Sequence, residues 1–364
     1  MKPPIQRAAL FPILPQPVGI ARMAAQAEHA DDGHLIEFKT LEVRSVLNRT
    51  TSKRGLRFAY SINPYRGCEF GCRYCYARYT HEFMELRDPL AFERIIFLKQ
   101  NAAWLLEQEL RRIDPADEIA LGTATDPYQP IERRARITRS LLEVFSRKSG
   151  YRLGIVTKST LIERDLELLI EIAKHNALVV HITITTPDTV LARLLEPRAP
   201  RPDLRFLTVK HLRKAGIRTG ILCCPLLPGI TDSEEALDGM ARRAAAVGAS
   251  FLAANPLFLK PCSRPTYLSF VREHFPSLEP DYHRRFDHAD FATKSYRQQM
   301  AAILDRASRR YGLGRRSVDD RMTNTTPPGS EDLPFAATPP EQHERTPRKP
   351  QASVGGAVQR RLFA

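Results

Sequence analysis

No stretch of about 18 consecutive apolar residues occurs in this 364-residue chain, and that lack excludes a membrane-spanning helix. The opening Met1-Lys-Pro-Pro-Ile-Gln-Arg-Ala-Ala-Leu-Phe-Pro-Ile-Leu-Pro15 is broken by prolines and has no continuous apolar core, so it does not read as a secretory leader. Cysteine is scarce: there are six, and the three crowded into residues 68–75 cannot all pair as disulfides. The expectation is a cytoplasmic protein with no membrane contact, held where thiols stay reduced. Of what is present, 43% is hydrophobic, enough to bury a large core as one big domain or two smaller ones.

Negative charge is also in short supply. Against 55 Lys and Arg stand 41 Asp and Glu, a net charge of +14. The ends contribute little. Residues 1–44 balance five basic side chains against five acidic ones, and residues 312–364 carry eight against six, which leaves +12 on residues 45–311. Such a body suits a polyanionic partner, since Lys and Arg gain affinity for phosphates by releasing counterions. An ordinary basic protein shows the same balance.

Residues 1–44, with five prolines, little periodicity and an Asp31-Asp32-Gly33 break, read as a loosely ordered extension. Residues 312–364 turn into Thr-Pro and Pro-rich pieces after Thr323 and cannot bury enough apolar surface to fold alone. Residues 45–311 form the core domain. There, strand candidates at Phe58–Ile62, Glu118–Gly122, Arg152–Thr157, Leu178–Thr185, Arg218–Cys223 and Ser250–Asn255 alternate with helical patterns. The helices are expected at Ala102–Arg112, Thr138–Arg147, Ile162–Lys174, Leu204–Ala215 and Asp232–Val247. Alternation of this kind is α/β and implies a parallel sheet with helices outside it.

The densest chemistry lies in Asn63-Pro-Tyr-Arg-Gly-Cys-Glu-Phe-Gly-Cys-Arg-Tyr-Cys-Tyr-Ala77, where Cys68, Cys72 and Cys75 stand in one short loop. A [4Fe–4S] cluster normally takes four thiolates, so three leave one iron open to a substrate or cofactor. Gly67 and Gly71 allow the backbone to curl tightly enough to aim three sulfurs at one centre. The rival reading adds His81 as a fourth ligand and makes a structural Cys3His zinc site.

The spacing Cys68-x3-Cys72-x2-Cys75, with Tyr74 before the last cysteine, resembles the cysteine motif of the radical S-adenosylmethionine (SAM) enzymes. More specifically, the chain is similar to the spore photoproduct lyase-like, or DNA repair photolyase-like, branch. The likeness runs from about Ser61 to Phe258. It is carried by Tyr76-Ala-Arg-Tyr-Thr-His-Glu82, Gly122-Thr-Ala-Thr-Asp-Pro-Tyr-Gln-Pro-Ile-Glu132, Thr157-Lys-Ser159, Leu195-Glu-Pro197 and Pro228-Gly-Ile-Thr-Asp232. The resemblance implies a partial (β/α)6 TIM-type barrel of the radical SAM kind, whose chemistry gathers at the C-terminal ends of its strands. It implies a [4Fe–4S] cluster on the three cysteines, SAM as second cofactor, and a reductant such as a flavodoxin or ferredoxin. The reaction implied is reductive cleavage of SAM to a 5′-deoxyadenosyl radical that abstracts hydrogen, with nucleic acid as the favoured substrate class and a peptide or small metabolite as the rival.

Site roles follow from the same resemblance. Lys158 matches a lysine that approaches the SAM carboxylate, and Thr125 and Asp126 occupy the stretch that meets the methionine amino group or ribose. Thr183 and Thr185 alternate with apolar residues, which on a strand directs both hydroxyls to one face, expected to be the barrel interior. Either simply fits a strand equally well. His81 is expected near the cavity, either for proton transfer or substrate contact or simply on a helix surface supporting the site. The arginines of Ile131-Glu-Arg-Arg-Ala-Arg-Ile-Thr-Arg139 could grip phosphates or face solvent. One departure stands out. The lyases carry a hydrogen-donating cysteine at the end of the second strand, where this chain has Gly122-Thr123-Ala124. Cys224, beside Cys223 at the end of the fifth strand, could supply a substitute thiol, or both could be packing residues.

Overall fold

The computed structural model describes residues 36–50 and 58–314. Ten strands occur in them: β1 (Glu37–Thr40), β2 (Leu47–Arg49), β3 (Tyr60–Ile62), β4 (Tyr65–Arg66), β5 (Ile95–Leu98), β6 (Glu118–Leu121), β7 (Arg152–Thr157), β8 (Ala177–Thr183), β9 (Thr219–Leu226) and β10 (Leu252–Pro256). The main sheet runs β10-β9-β8-β7-β6-β3-β2. Its six strands from β3 to β10 are parallel, and β2 closes one edge antiparallel to β3. Edge strands β2 and β10 do not pair with each other, so the barrel is partial rather than closed.

Apolar residues meet rung by rung across this sheet, as in Ile119 opposite Leu153, Leu153 opposite Leu178 and Ile182 opposite Ile221. β6 is buried throughout and β8 nearly so, the pattern of parallel strands covered on both faces. Helices Ala102–Glu109, Ile137–Ser146, Leu166–His175, Pro202–Lys214 and Glu234–Ala246 supply the outer cover. In Ile137–Ser146, the buried Ile137, Leu141, Leu142, Val144 and Phe145 form one apolar face. Glu234–Ala246 starts where Ser233 accepts the Ala236 N–H at 3.1 Å, with Glu234 and Glu235 in the first turn facing the positive end of the helix dipole.

The expected strands and helices all occur, most with shifted ends. Gly122 leaves the strand at φ +90°, and β8 stops at Thr183, two residues short of the expected limit. The N-terminal boundary needs correction, because Glu37–Thr40 is a strand paired in parallel with β5 and belongs to a small sheet, β1-β5-β4. The rest of the expected extension, residues 1–35, and the tail from 315 lie outside the described residues.

A second core forms above the sheet. Phe70, Tyr74 and Phe92 pack there with Leu195, Leu227 and Leu257, and with Tyr267, Phe270, Tyr282 and Phe286 from the helices Arg264–His274 and Glu279–Phe286. The buried Cys68 and Cys72 belong to this cluster, so the cysteine loop lies between the barrel and the C-terminal helices.

Candidate active site

The loop that carries the cysteines turns at two glycines, Gly67 (φ +86°) and Gly71 (φ +62°), in the left-handed region that favours glycine. Two walls brace it. On one side, Thr125 Oγ1 and Gln129 Nε2 donate to Gly67 O at 2.6 and 3.2 Å, the Glu69 N–H donates to Gln129 Oε1 at 2.8 Å, and the Ile131 N–H donates to Glu69 Oε1 at 2.6 Å. On the other, the Arg73 N–H donates to Leu195 O at 2.9 Å, Arg198 Nε donates to Glu69 O, and Arg78 Nη2 donates to Cys72 O at 3.1 Å. A Cβ at Gly67 would stand 2.8 Å from the carbonyl oxygens of Phe92 and Ile95. Gly67→Ala is therefore expected to cost about 1–3 kcal/mol through backbone strain and to lower the iron retained after reconstitution; a thermal melt with iron analysis checks both.

A cavity of about 390 Å³ opens beside the loop, at the C-terminal ends of the parallel strands. Its wall brings together Cys68, Cys72, Tyr74, Cys75, Thr125, Asp126, Lys158, Thr183 and Cys224. Two expected residues are not on it. His81 is buried elsewhere, with Nε2 2.9 Å from Ile95 O and its ring edge-on to Phe92 and Phe97. Burial holds its pKa down at about 4, so it packs as a neutral imidazole. Thr185, past the end of β8, lies behind the wall, where its hydroxyl meets Tyr74 Oη at 2.9 Å, Glu196 Oε1 at 2.9 Å and Cys224 O at 3.1 Å. Of the arginine run, Arg139 is held locally, reaching Asp165 at 2.7 Å and Glu167 at 2.8 Å, while Arg133, Arg134 and Arg136 are exposed.

Asp126 and Thr125 are on the wall, yet their polar atoms are engaged. Asp126 accepts from the Tyr128 N–H (2.9 Å), Thr157 Oγ1 (2.7 Å) and the Lys158 N–H (2.7 Å), which ties the end of β6 to the end of β7. Burial raises the Asp126 pKa despite these three donors. Lys158 Nζ lies 4.0 Å from Glu196 Oε1 and 5.8 Å from the centre of the Tyr74 ring. Burial pulls its pKa down, but the neighbouring Cys72 and Glu196 outweigh that and hold the ammonium charged.

Glu196 lies in the Leu195-Glu-Pro197 motif, which by itself assigns it no role, and no motif marks Arg205. Both side chains are 1% exposed and meet at 2.5 Å, as an ion pair rather than an aligned hydrogen bond. Tyr74 Oη also donates to Glu196 Oε1. Burial alone would raise the Glu196 pKa, but Arg205 and Lys158 bring it below the ordinary carboxylate value. The signal was available: Arg205 adjoins Phe206 on the helix face that also buries Val209 and Leu212, and a charge there needs a partner.

All three loop thiols are reduced, and burial raises the pKa of each, that of Cys72 to about 12. Among the described residues, no three His, Cys, Asp or Glu side chains converge on one ion position. A mononuclear zinc site needs such convergence. A cubane spreads its thiolates over separate irons, so three cysteines around one cavity wall fit it better.

Comparison with known proteins agrees with this geometry. The sequence model of the radical SAM superfamily matches residues 62–241. An uncharacterized protein of Mycobacterium tuberculosis is 33% identical over 286 residues, 78% of this chain and 83% of the relative. This chain belongs to the radical SAM superfamily. As a radical SAM enzyme it uses a [4Fe–4S] cluster and SAM. A second similar protein, uncharacterized and from Methanocaldococcus jannaschii, is 29% identical over 175 residues, 48% of this chain and 63% of the relative. Among solved structures, this radical SAM fold resembles a spore photoproduct lyase variant with bound AdoMet and dinucleoside spore photoproduct, at TM-score 0.57 and 14% identity over 83% of this chain and 85% of the other. Among the described residues of the radical SAM chain, no helix is long and apolar enough to cross a membrane.

Proposed function

We propose that Cys68, Cys72 and Cys75 hold the cluster, that SAM fills the adjoining cavity, and that the enzyme abstracts hydrogen from a nucleic-acid substrate in a lyase-like reaction. When bound, the cluster supplies the electron that cleaves SAM reductively to a 5′-deoxyadenosyl radical. The observation that carries this reading is the cavity of about 390 Å³ whose wall brings together the three thiols and the Lys158 ammonium.

Lys158 pairs with the SAM carboxylate, its charge worth more in a largely buried wall than in water. Thr183 and Tyr74 complete the cofactor side of the wall, with Tyr74 fixed by Thr185 and Glu196. Asp126 and Thr125 act through the backbone, holding Lys158 and Gly67 in place. Cys224 faces the same cavity and returns a hydrogen atom to the substrate radical: its S–H bond breaks, a C–H bond forms, and a thiyl is left on the protein. The neighbouring Cys223 has its sulfur turned towards Thr185 O at 3.5 Å and serves packing. The +12 body and the fold shared with a lyase seen with a dinucleoside ligand favour nucleic acid.

Anaerobically reconstituted, dithionite-reduced protein is expected to convert SAM to 5′-deoxyadenosine and to shift an oligonucleotide in a salt-sensitive manner. A colourless, zinc-loaded protein without product would overturn the radical reading. Product without any shift at low salt would transfer the substrate to a peptide or small metabolite.

A further inference from the structure

Among the described residues eight large apolar side chains are exposed, and four of them fall on two consecutive helices: Val190 (70%) and Leu194 (37%) on Thr189–Leu195, Leu204 (44%) and Leu207 (46%) on Pro202–Lys214. The two helices pack against each other. Exposed charge over the same stretch is basic, with Arg193, Arg198, Lys210 and Lys214 set against Asp188, and with Arg201 paired to Asp203. Exposed leucines within a basic surround fit an acidic protein better than a bare polyphosphate, which has no use for the apolar residues.

The link between the two helices sits directly on the cysteine loop. Leu195 O accepts the Arg73 N–H at 2.9 Å, Arg198 Nε donates to Glu69 O, and Glu196 takes the hydroxyl of Tyr74, which lies between Cys72 and Cys75. None of the four exposed residues lines the cavity, so a protein seated on them leaves its mouth to the substrate. Electron tunnelling weakens steeply with distance, so a donor must dock where little polypeptide covers the acceptor.

We propose that helices Thr189–Leu195 and Pro202–Lys214 form the docking face for a small acidic one-electron carrier protein, which passes its electron to the cluster across residues 195–198. The inference rests on the radical chemistry proposed above. One electron leaves the carrier and enters the cluster, and no bond forms or breaks in that step.

The test compares wild type with Val190→Asp, Leu207→Asp and Lys210→Glu, surface changes remote from the cavity wall. SAM cleavage is driven either by dithionite or by a flavodoxin with its reductase, and flavodoxin affinity is read separately by titration calorimetry at two salt concentrations. Dithionite-driven product is expected to stay within about twofold, while flavodoxin affinity and flavodoxin-driven rate fall about tenfold or more, as expected for a docking contact. Unchanged flavodoxin affinity in all three variants would overturn the proposal. So would an equal loss under both reductants, or a loss confined to oligonucleotide binding. Absence of product with dithionite in the wild type would instead remove the radical reading, while the calorimetry still decides whether the face binds the carrier.

Discussion

Cys72→Ala protein is expected to lose its brown colour on reconstitution and to form 5′-deoxyadenosine only at background level, with its far-ultraviolet circular dichroism unchanged. Cys72 supplies a thiol at the buried edge of the cavity, while its carbonyl, retained in the variant, still accepts from Arg78 and the Cys75 N–H. The loop therefore keeps its frame and loses only a ligand. Two thiolates cannot hold a cubane at three of its irons. Cys262→Ala is the matching control, since that thiol is half-buried and off the cavity wall, and it should retain both colour and product. Iron analysis and product chromatography on the two variants check the assignment, and full activity in Cys72→Ala would sink it.

The second large effect concerns the buried ion pair. Removing the carboxylate in Glu196→Ala strands Arg205 with an unpaired buried charge, a loss expected to reach about 3–5 kcal/mol. That corresponds to a fall in melting temperature of about 5–9 °C for a domain of this size. The double variant with Arg205→Ala should lose less than the two single changes added together, because both break one interaction. The pH dependence has a definite sign. The Glu196 pKa is depressed in the folded state, so the stability it contributes is fully present above the ordinary carboxylate range and is lost as pH falls through the lower folded value. The stability gap between wild type and Glu196→Gln should thus be flat at neutral pH and narrow only in strong acid. Denaturant titrations across that range check it.

Much of the barrel was legible because each parallel strand is short, apolar and followed by a helix of clear period. Arg152–Thr157 was read from the sequence with the limits it has in the structure. The small sheet was not legible: Glu37–Thr40 and Ile95–Leu98 pair across 58 positions, and β4 has only two residues, too few to show alternation. At the site, residues that provide sulfur or charge to the cavity were readable from type and spacing. Placement by strand alternation failed at Thr185, because β8 ends at Thr183. Nearness in sequence misplaced His81, whose short helix, Tyr79–Glu82, carries it away from the cavity and against Phe92 and Phe97. Arg205 was readable from the apolar helix face it shares with Phe206, Val209 and Leu212, whereas Glu196, in a short motif with no such face, becomes visible only through that partner.

The second core also bears on how the enzyme acquires its metal in the cell. Ser263 Oγ donates to Cys75 O at 2.8 Å from 188 residues further along the chain, and the helices that cover the loop come later still. At about 5–20 residues per second, a ribosome needs roughly 10–40 s to make that length. During this interval the three cysteines have left the ribosome without the helices that later cover them.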